Sequence, residues 1–278
     1  MLPLYPSHSI DPAIADTALA QIAYRDADHT VRIQDVIGHL QAAGAQVFVV
    51  GGACRDWLTG APSKDLDLAI DRPLDEAHAI LRRAWPAIDP VLRRFERFGM
   101  LRWGDAGSGG VDLNILRSPR DITHDNMFTT TFVSRADLRD DALTRDFSCN
   151  AFYYPCAARG HVLDPLAVGL ADVHDRVLRL IADPRVLETS FSTTCRILQF
   201  VRRGYAPAAN VTAYLARHAD RDVQRMGGEG LLWWTIGHFA AAERAAFVDD
   251  VRAHVRAAEA HAVLDHVRDH MRDALSRS

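Results

Sequence analysis

Apolar and polar positions along the chain follow two periods, and these predict where strands and helices lie. The run Gln46–Val50 is apolar and rich in β-branched residues, which is typical of a buried strand. Phe98–Trp103 and Val111–Leu116 predict two further strands joined by a glycine-rich hairpin loop. Phe152–Tyr154 and His161–Leu163 predict the last strands before the chain becomes helical.

Apolar residues at helical spacing predict helices on both sides of these strands. Thr30 is expected to cap a helix that runs to about Ala42 and is ended by Gly44. The remaining predicted helices cover residues 13–22, 74–84, 211–219, 231–242 and 245–275, and residues 141–151 are expected to form a helix or a helical turn. This order predicts an α+β fold, with a small mixed or antiparallel sheet and flanking helices followed by an all-helical part. The expected division is an N-terminal extension (1–28), a sheet domain (29–165) and a helical domain (166–278).

Composition narrows the class of protein without naming a function. The 278 residues are 48% hydrophobic and 24% charged, as in ordinary globular proteins. No apolar run reaches the roughly 18 residues of a membrane helix, and the first residues lack a signal-peptide pattern. The four cysteines are scattered with no C-x-x-C pair, so we expect a reducing, cytoplasmic setting with no membrane partner. A net charge of −4 argues against a large nucleic-acid footprint but leaves room for a small basic patch.

The candidate chemistry follows the first apolar strand. Gly51 and Gly52 allow a sharp turn and a close backbone approach to a ligand, and a helix beginning there suits a phosphate. Asp65 and Asp67 lie two apart in an extended segment, so their side chains point the same way and form a natural Mg²⁺ ligand pair. Each feature alone is common in turns and solvated strand ends. Their order and short spacing favour a phosphoryl-transfer site.

Lys64 directly precedes Asp65 and is the single lysine beside thirty-one arginines. Its isolation either reflects the composition of the chain or marks a compact ammonium group beside a metal and triphosphate site.

These motifs resemble the head of the class II tRNA nucleotidyltransferase and bacterial poly(A) polymerase family, whose pattern is GG-x-x-RD followed by D-x-D. Arg55 and Asp56 complete the first motif here, and Asp112 stands at the third acidic position. Three further segments resemble family motifs in the family's order: Phe98-Gly99, Thr144–Ala151 for RRDFTINA, and Leu163–Pro165 with Gly169–Asp172 for DP…GL-x-D.

The resemblance implies a polymerase β-like nucleotidyltransferase head and a divalent-metal mechanism. The implied metal ligands are Asp65, Asp67 and Asp112, holding two Mg²⁺ ions, with Mn²⁺ as a substitute. Asp112 is expected on a neighbouring antiparallel strand, where it ligates a metal or deprotonates the acceptor; the less favoured alternative is a surface aspartate on an edge strand. The implied nucleotide-binding residues, for CTP or ATP, are Gly51, Gly52, Arg55, Asp56, Lys64, Arg145, Asp146, Asn150 and Arg196.

The chain departs from the family where the incoming base is selected. The family's Glu-Asp-x-x-Arg becomes Ser192-Thr193-x-x-Arg196, which keeps the arginine and replaces both acids. A hydroxyl offers one rotating donor and acceptor in place of a fixed carboxylate, so base choice is altered, relaxed or made elsewhere.

The acceptor is the second open question. Residues 206–278 are few for holding a tRNA, and they carry nine Arg against ten acidic residues, which is not a basic surface. The interpretation favoured from sequence is therefore a small-molecule or other non-tRNA acceptor. Addition of C or A to RNA 3′ ends is the alternative, and a non-catalytic nucleotide-binding module is the second alternative.

Overall fold

The computed structural model describes residues 5–25, 28–63, 65–86, 92–96, 99–103, 111–121, 137–182, 191–217 and 228–276. The described residues form two compact units. The first contains the chain through Val173 together with residues 181–182, and the second contains His174–Leu180 and the described residues from 191 onward.

The first unit alternates strands and short helices. Its strands are β1 (Ser7–Ser9), β2 (Ile22–Arg25), β3 (Thr30–Arg32), β4 (Val47–Val50), β5 (Asp67–Ile70), β6 (Leu92–Phe95), β7 (Met100–Trp103), β8 (Val111–Ile115), β9 (Tyr153–Pro155) and β10 (His161–Leu163). Its helices are α1 (Pro12–Leu19), α2 (Ile33–Ala42), α3 (Gly52–Leu58), α4 (Leu74–Ala84), α5 (Leu138–Ala142) and α6 (Gly169–His174).

Eight of these strands form one mixed sheet within the described part of the chain, in the order β1-β10-β9-β4-β5-β8-β7-β6. β4 pairs antiparallel with both β5 and β9, whereas β5 pairs parallel with β8. The prediction that Asp112 lies on a strand antiparallel to that of Asp67 is therefore wrong. The sequence correctly predicts the β7–β8 hairpin, but the direction of β8 relative to β5 depends on a long-range pairing that local patterns do not encode.

The core lies on both faces of β4, which explains why its four residues are all apolar. Val47 to Val50 are at most 2% exposed. Phe48 and Val50 pack on one face in a cluster with Tyr153 of β9 and with Leu138 and Ala142 of α5. Elsewhere on the sheet, α2 packs against β4 and α4 against β7. Helices thus cover part of each face, and the end of β5 that carries Asp67 remains exposed.

Two helix predictions in the first unit are corrected. Thr30 does not cap a helix: residues 30–32 pair with β2 as β3, and α2 begins at Ile33, where the Asp35 carboxylate accepts a 2.8 Å hydrogen bond from the Arg32 backbone N–H. Residues 141–151 are not one helix either. Helix α5 ends at Ala142, and a turn leads to a short 3₁₀ helix at Ser148–Asn150.

The second unit is mainly helical. Its elements are β11 (Val177–Leu178), α7 (Phe191–Arg202), β12 (Ala206–Pro207), α8 (Ala209–Leu215), α9 (Gly228–Ile236), α10 (Ala241–Ala253) and α11 (Ala258–Ser276). The predicted helix 245–275 is two helices, because the chain turns after Ala253 so that Val248 and Val251 before the turn and Leu264 and Val267 after it share one core. None of the described helices has the length and apolarity needed to cross a bilayer.

Replacing Gly169 with alanine is expected to destabilise the first unit. A Cβ at Gly169 would lie 2.7 Å from the Ser148 carbonyl oxygen and 2.8 Å from Cζ of the fully buried Phe152. The free energy of unfolding measured by urea denaturation should fall by about 1–3 kcal/mol, the usual cost of overpacking. Gly230→Ala is the matched control, since nothing lies within 4 Å of its added Cβ, and helix propensity favours alanine there by about 1 kcal/mol. Equal effects of the two substitutions would contradict the packing argument.

Candidate active site

One row of residues, paired across neighbouring strands, crosses the sheet and contains four charged side chains. Residues paired across neighbouring strands project to the same face of a sheet. The row reads Arg93 (β6), Arg102 (β7), Asp112 (β8), Asp67 (β5), Val50 (β4) and Tyr153 (β9). Two carboxylates therefore stand side by side in the middle of the row, with arginines following on one side and the β4–β9 core on the other.

Asp112 occupies an unfavourable environment for a carboxylate. Burial raises its pKa and the nearby Asp65 raises it further, while Arg102 opposes them; the net shift is upward. Its Oδ2 lies 3.6 Å from Arg102 Nη1, too far for a hydrogen bond. Its Oδ1 is buried and has no hydrogen-bond partner among the described residues.

These properties fit a divalent cation. A desolvated carboxylate oxygen beside a second carboxylate lacks the positive charge that a hard metal ion supplies. Asp67 lies in register with Asp112, and Asp65 lies two residues before Asp67, just ahead of β5. Across the described residues, however, no three His, Cys, Asp or Glu side chains converge closely enough to hold a metal. The structure thus pairs the strand positions of Asp67 and Asp112, and joint ligation by all three aspartates stays a prediction.

Gly51 turns the chain at the end of β4 in a conformation that only glycine adopts readily. Its φ is +75° and its ψ is −137°. A Cβ at this position would lie 3.8 Å from Oδ2 of Asp67 and 3.9 Å from Nη1 of Arg145. A carboxylate and a guanidinium therefore approach the same point at Gly51, which is itself buried and carries no side chain between them.

Asp141 holds the Arg145 side chain in place. The Asp141 carboxylate is fully buried and accepts hydrogen bonds from Arg145 Nη2 at 2.7 Å and from the Tyr153 hydroxyl at 2.5 Å. The same Tyr153 oxygen accepts a 3.0 Å bond from Arg145 Nε. Asp141 also accepts a 2.8 Å bond from the backbone N–H of Arg117, which follows β8. The Asp141 carboxylate thus links β8, the strand of Asp112, to the Arg145 guanidinium beside Gly51.

The protonation states of this group are fixed by its internal charges. Burial would raise the pKa of Asp141, but the charges of Arg145 and Arg117 and the hydrogen bond from Tyr153 outweigh it and lower that pKa. Burial would likewise lower the pKa of Arg145, yet Tyr153 and Asp141 raise it overall. Ionised Asp141 therefore stabilises the fold above the ordinary aspartate pKa, and this contribution is lost as the pH falls through its lower folded value.

A second hydrogen-bonded chain links the glycine turn to residues 146–150. Arg55 donates from Nη1 to the Asn150 amide oxygen at 2.6 Å and from Nη2 to Asp56 at 2.8 Å. Asn150 Nδ2 donates to Asp146 Oδ1 at 3.3 Å. Arg55, Asp56, Asp146 and Asn150, which the resemblance implicates together, are therefore contiguous, and the Arg55 guanidinium lies 3.4 Å from a Cβ placed on Gly52.

Two predicted site residues do not belong to the described part of the first unit. Lys64 lies outside the described residues, as does Phe98 of the Phe98-Gly99 motif. Arg196 lies on α7 in the second unit.

The structure adds three residues that sequence reasoning does not identify: Asp141, Tyr153 and Arg102. The i, i+4 spacing of Asp141 and Arg145 is a usable signal for an ion pair. Tyr153 and Arg102 leave no such signal, because their contacts depend on the sheet register.

Comparisons with known proteins agree with this geometry. Residues 47–179 match the family model of the poly(A) polymerase head domain. The A-adding tRNA nucleotidyltransferase of Halalkalibacterium halodurans is 27% identical over 172 residues, which cover 61% of this chain and 38% of that protein. The CCA-adding enzyme of Levilactobacillus brevis is 29% identical over 192 residues, covering 66% of this chain and 44% of that protein. The matched part of this chain thus spans about two fifths of the length of these curated relatives.

Solved structures show the same fold. The Bacillus stearothermophilus CCA-adding enzyme in complex with CTP superposes with a TM-score of 0.52 at 19% identity, covering 78% of this chain and 46% of that one. The Thermotoga maritima CCA-adding enzyme complexed with tRNA_CCA gives a TM-score of 0.53 at 14% identity, covering 95% and 55%.

A mixed sheet that carries neighbouring aspartates beside a glycine turn defines the nucleotidyltransferase head class. Within that class, residues 47–179 match the poly(A) polymerase head domain, and the curated relatives of this region are CCA-adding enzymes and bacterial poly(A) polymerases. The family and the fold class predicted from the motifs are both confirmed.

Removal of the Tyr153 hydroxyl is expected to weaken the support of Arg145. Tyr153→Phe takes one donor from buried Asp141 and one acceptor from Arg145, so the free energy of unfolding should fall by about 1–3 kcal/mol. Tyr154→Phe is the matched control: its hydroxyl accepts only a 3.3 Å bond from the Gly160 backbone among the described residues, and it should cost less. Urea denaturation of both variants decides the point. A smaller loss for Tyr153→Phe than for Tyr154→Phe would contradict the role assigned to the Asp141 group.

Proposed function

We propose that this chain transfers a nucleoside monophosphate from a nucleoside triphosphate to the 3′ hydroxyl of an RNA, with release of pyrophosphate. The observation that carries the proposal is the register of Asp67 with Asp112 beside Gly51, with a buried Asp112 oxygen that lacks a partner among the described residues. The names of the relatives support it, since they are A-adding or CCA-adding enzymes and poly(A) polymerases.

The comparisons do not support the small-molecule acceptor favoured from sequence. The relatives are named for work on tRNA or poly(A), and one structural neighbour is complexed with tRNA. The alternative stated from sequence, addition to RNA 3′ ends, fits these findings better. The sequence argument relied on the number and the charge of the residues after Tyr205 and on the altered base-selection motif, none of which describes the surface beside the carboxylates.

The metal would be held by Asp67 and Asp112, with Asp65 as the third carboxylate. A bound divalent ion supplies positive charge to the phosphates and holds the reacting oxygens in place. We propose Mg²⁺, in two ions, with Mn²⁺ as a substitute, because oxygen donors of carboxylates are the ligands that these hard cations prefer.

The nucleotide would lie on the β4 side of the carboxylates. The bare backbone at Gly51 admits a phosphate, and Arg145 Nη1 approaches the same point with a charge fixed by Asp141 and Tyr153. Arg55 and Asn150 form a hydrogen-bonded pair next to this turn, suited to the sugar and phosphate oxygens. Lys64, adjacent in sequence to Asp65, would add positive charge.

In the reaction, the acceptor hydroxyl oxygen forms a bond to the α-phosphorus while the bond to pyrophosphate breaks. Asp112 either ligates the metal or accepts the proton of the acceptor hydroxyl. The remaining groups position the triphosphate and offset its charge, which supplies most of the rate in phosphoryl transfer.

The decisive assay incubates the protein with labelled CTP or ATP and Mg²⁺, in parallel with short RNA and with a metabolite extract. We expect label in RNA, and a loss of at least about 100-fold in Asp112→Asn, since removing charge from a metal or base site has effects of that order. Asp16→Asn is the control, because Asp16 forms an exposed ion pair with Arg159 that contributes little. Label found only in small molecules would contradict the RNA acceptor, and no turnover of any kind would contradict the enzyme.

Thermal unfolding gives a second readout that does not depend on turnover. Mg²⁺ should raise the melting temperature of the wild-type protein by binding the native state. Asp112→Asn should abolish this rise. In EDTA the variant should be at least as stable as wild type, because it removes a desolvated charge beside Asp65. Identical Mg²⁺ responses of the two proteins would exclude Asp112 from the metal site.

Base choice should differ from that of relatives with the Glu-Asp-x-x-Arg motif. Arg196 on α7 would offer fixed donors to the base, whereas Ser192 and Thr193 supply hydroxyls in place of carboxylates. We expect the kcat/KM values for the four NTPs to differ less than in an enzyme that selects the base with a carboxylate. Ser192→Glu combined with Thr193→Asp should narrow incorporation toward C or A, measured as ratios of kcat/KM. Thr193→Val, which keeps the shape of the side chain without its hydroxyl, is the isosteric control. An unchanged NTP preference in the double variant would mean that other residues select the base.

A further inference from the structure

The charged row does not end at the carboxylates. Beyond Asp112 it continues through Arg102 on β7 to Arg93 on β6, the outermost strand on that side of the sheet. Arg93 is exposed, and the Arg102 side chain is 38% exposed. Backbones of adjacent strands are about 4.8 Å apart, so the two arginines extend from the reaction centre in consecutive steps.

The neighbouring Arg94 shows that this alignment is specific to one face. Arg94 pairs in register with Leu101, whose side chain is fully buried, and therefore projects to the opposite face from Arg93. There its Nη2 lies 2.5 Å from the carboxylate of Asp75 on α4 and 3.3 Å from Glu96. The two consecutive arginines on β6 thus project to opposite faces, and Arg93 is the one that stands in the row of the carboxylates.

The two sides of the carboxylate pair are chemically different. On the β4 side lie the glycine turn and Arg145, which suit a triphosphate. On the β7 side, Arg102 Nη1 is 3.6 Å from Asp112, too far for a hydrogen bond, and the Arg102 side chain is partly exposed. A guanidinium that is not saturated by its carboxylate neighbour retains donors for a further anion.

We propose that Arg102 and Arg93 form a track for the phosphodiester backbone of the acceptor strand, which brings its 3′ end to Asp112 from the β7 side. The inference rests on the proposed function, because it presumes that the acceptor is a nucleic acid. It assigns to the acceptor the side of the carboxylates opposite the glycine turn. The arginines would contact phosphates and carry no base preference.

Binding of a labelled short single-stranded RNA, followed by fluorescence anisotropy between about 50 and 200 mM salt, tests the track. Arg93→Ala should raise the Kd about tenfold, the usual loss for one charge-assisted contact. The slope of log K against log salt should become shallower by about 0.7, the value per phosphate of a single strand. Arg102→Ala combined with Arg93→Ala should weaken binding further, whereas the Kd for NTP should stay within about twofold in Arg93→Ala.

Arg94→Ala is the matched control, since it removes the same charge from the adjacent residue but on the opposite face. It should leave both the RNA Kd and the salt slope near wild type. Equal effects of Arg93→Ala and Arg94→Ala would overturn the track, as would a wild-type chain that binds no RNA at low salt. A rise in the NTP Kd with unchanged RNA binding would assign Arg93 to the triphosphate and overturn the inference as well.

These outcomes are distinguishable from failure of the proposed function. That failure appears in the wild-type protein as absence of nucleotide transfer to RNA, whatever the arginine variants do. Retained transfer by wild type together with unaltered RNA affinity in Arg93→Ala would refute the track alone.

Discussion

The register of three strands, β4, β5 and β8, is the constraint on which the site depends. It sets Asp67 beside Asp112 and places both next to the turn at Gly51. Because side chains alternate between the two faces of a sheet, a slip of one residue on β5 would send Asp67 to the covered face and bring Leu68 to the site. The apolar residues of β4 resist such a slip, since Phe48 and Val50 must face α5 while Val47 and Val49 face the other way.

Electrostatics explains why this arrangement needs so many arginines. Burial and the nearby Asp65 carboxylate raise the pKa of Asp112, which stands in register with Asp67. Arg102 flanks them on one side and Arg145 on the other, and Arg145 is itself held by the fully buried Asp141. A buried ion pair of this kind contributes little net stability compared with apolar packing. Its value here is positional, because Tyr153 and Asp141 fix the direction in which the guanidinium points.

Local sequence signals predicted the parts of the site that lie within short segments. Gly51 and the two aspartates of the Asp65–Asp67 segment were identifiable because their chemistry follows from adjacent residues. The β7–β8 hairpin was likewise predictable from two apolar runs and a glycine-rich loop. The parallel pairing of β8 with β5 was not, because more than 40 residues separate Asp67 from Asp112 in the chain. For the same reason the sequence does not predict the role of Tyr153, which arises only when β9 pairs with β4.

Net charge says little about the acceptor for the same structural reason. A value of −4 averages over all 278 residues, whereas a phosphate backbone responds to the few charges within a Debye length of about 10 Å. The sheet register sorts Arg93 and Arg94 onto opposite faces, so that only one of the two cations lies in line with the reaction centre. The other, Arg94, lies on the opposite face beside Asp75. A chain that is acidic overall can thus present a locally basic path, and strand pairing decides where that path lies.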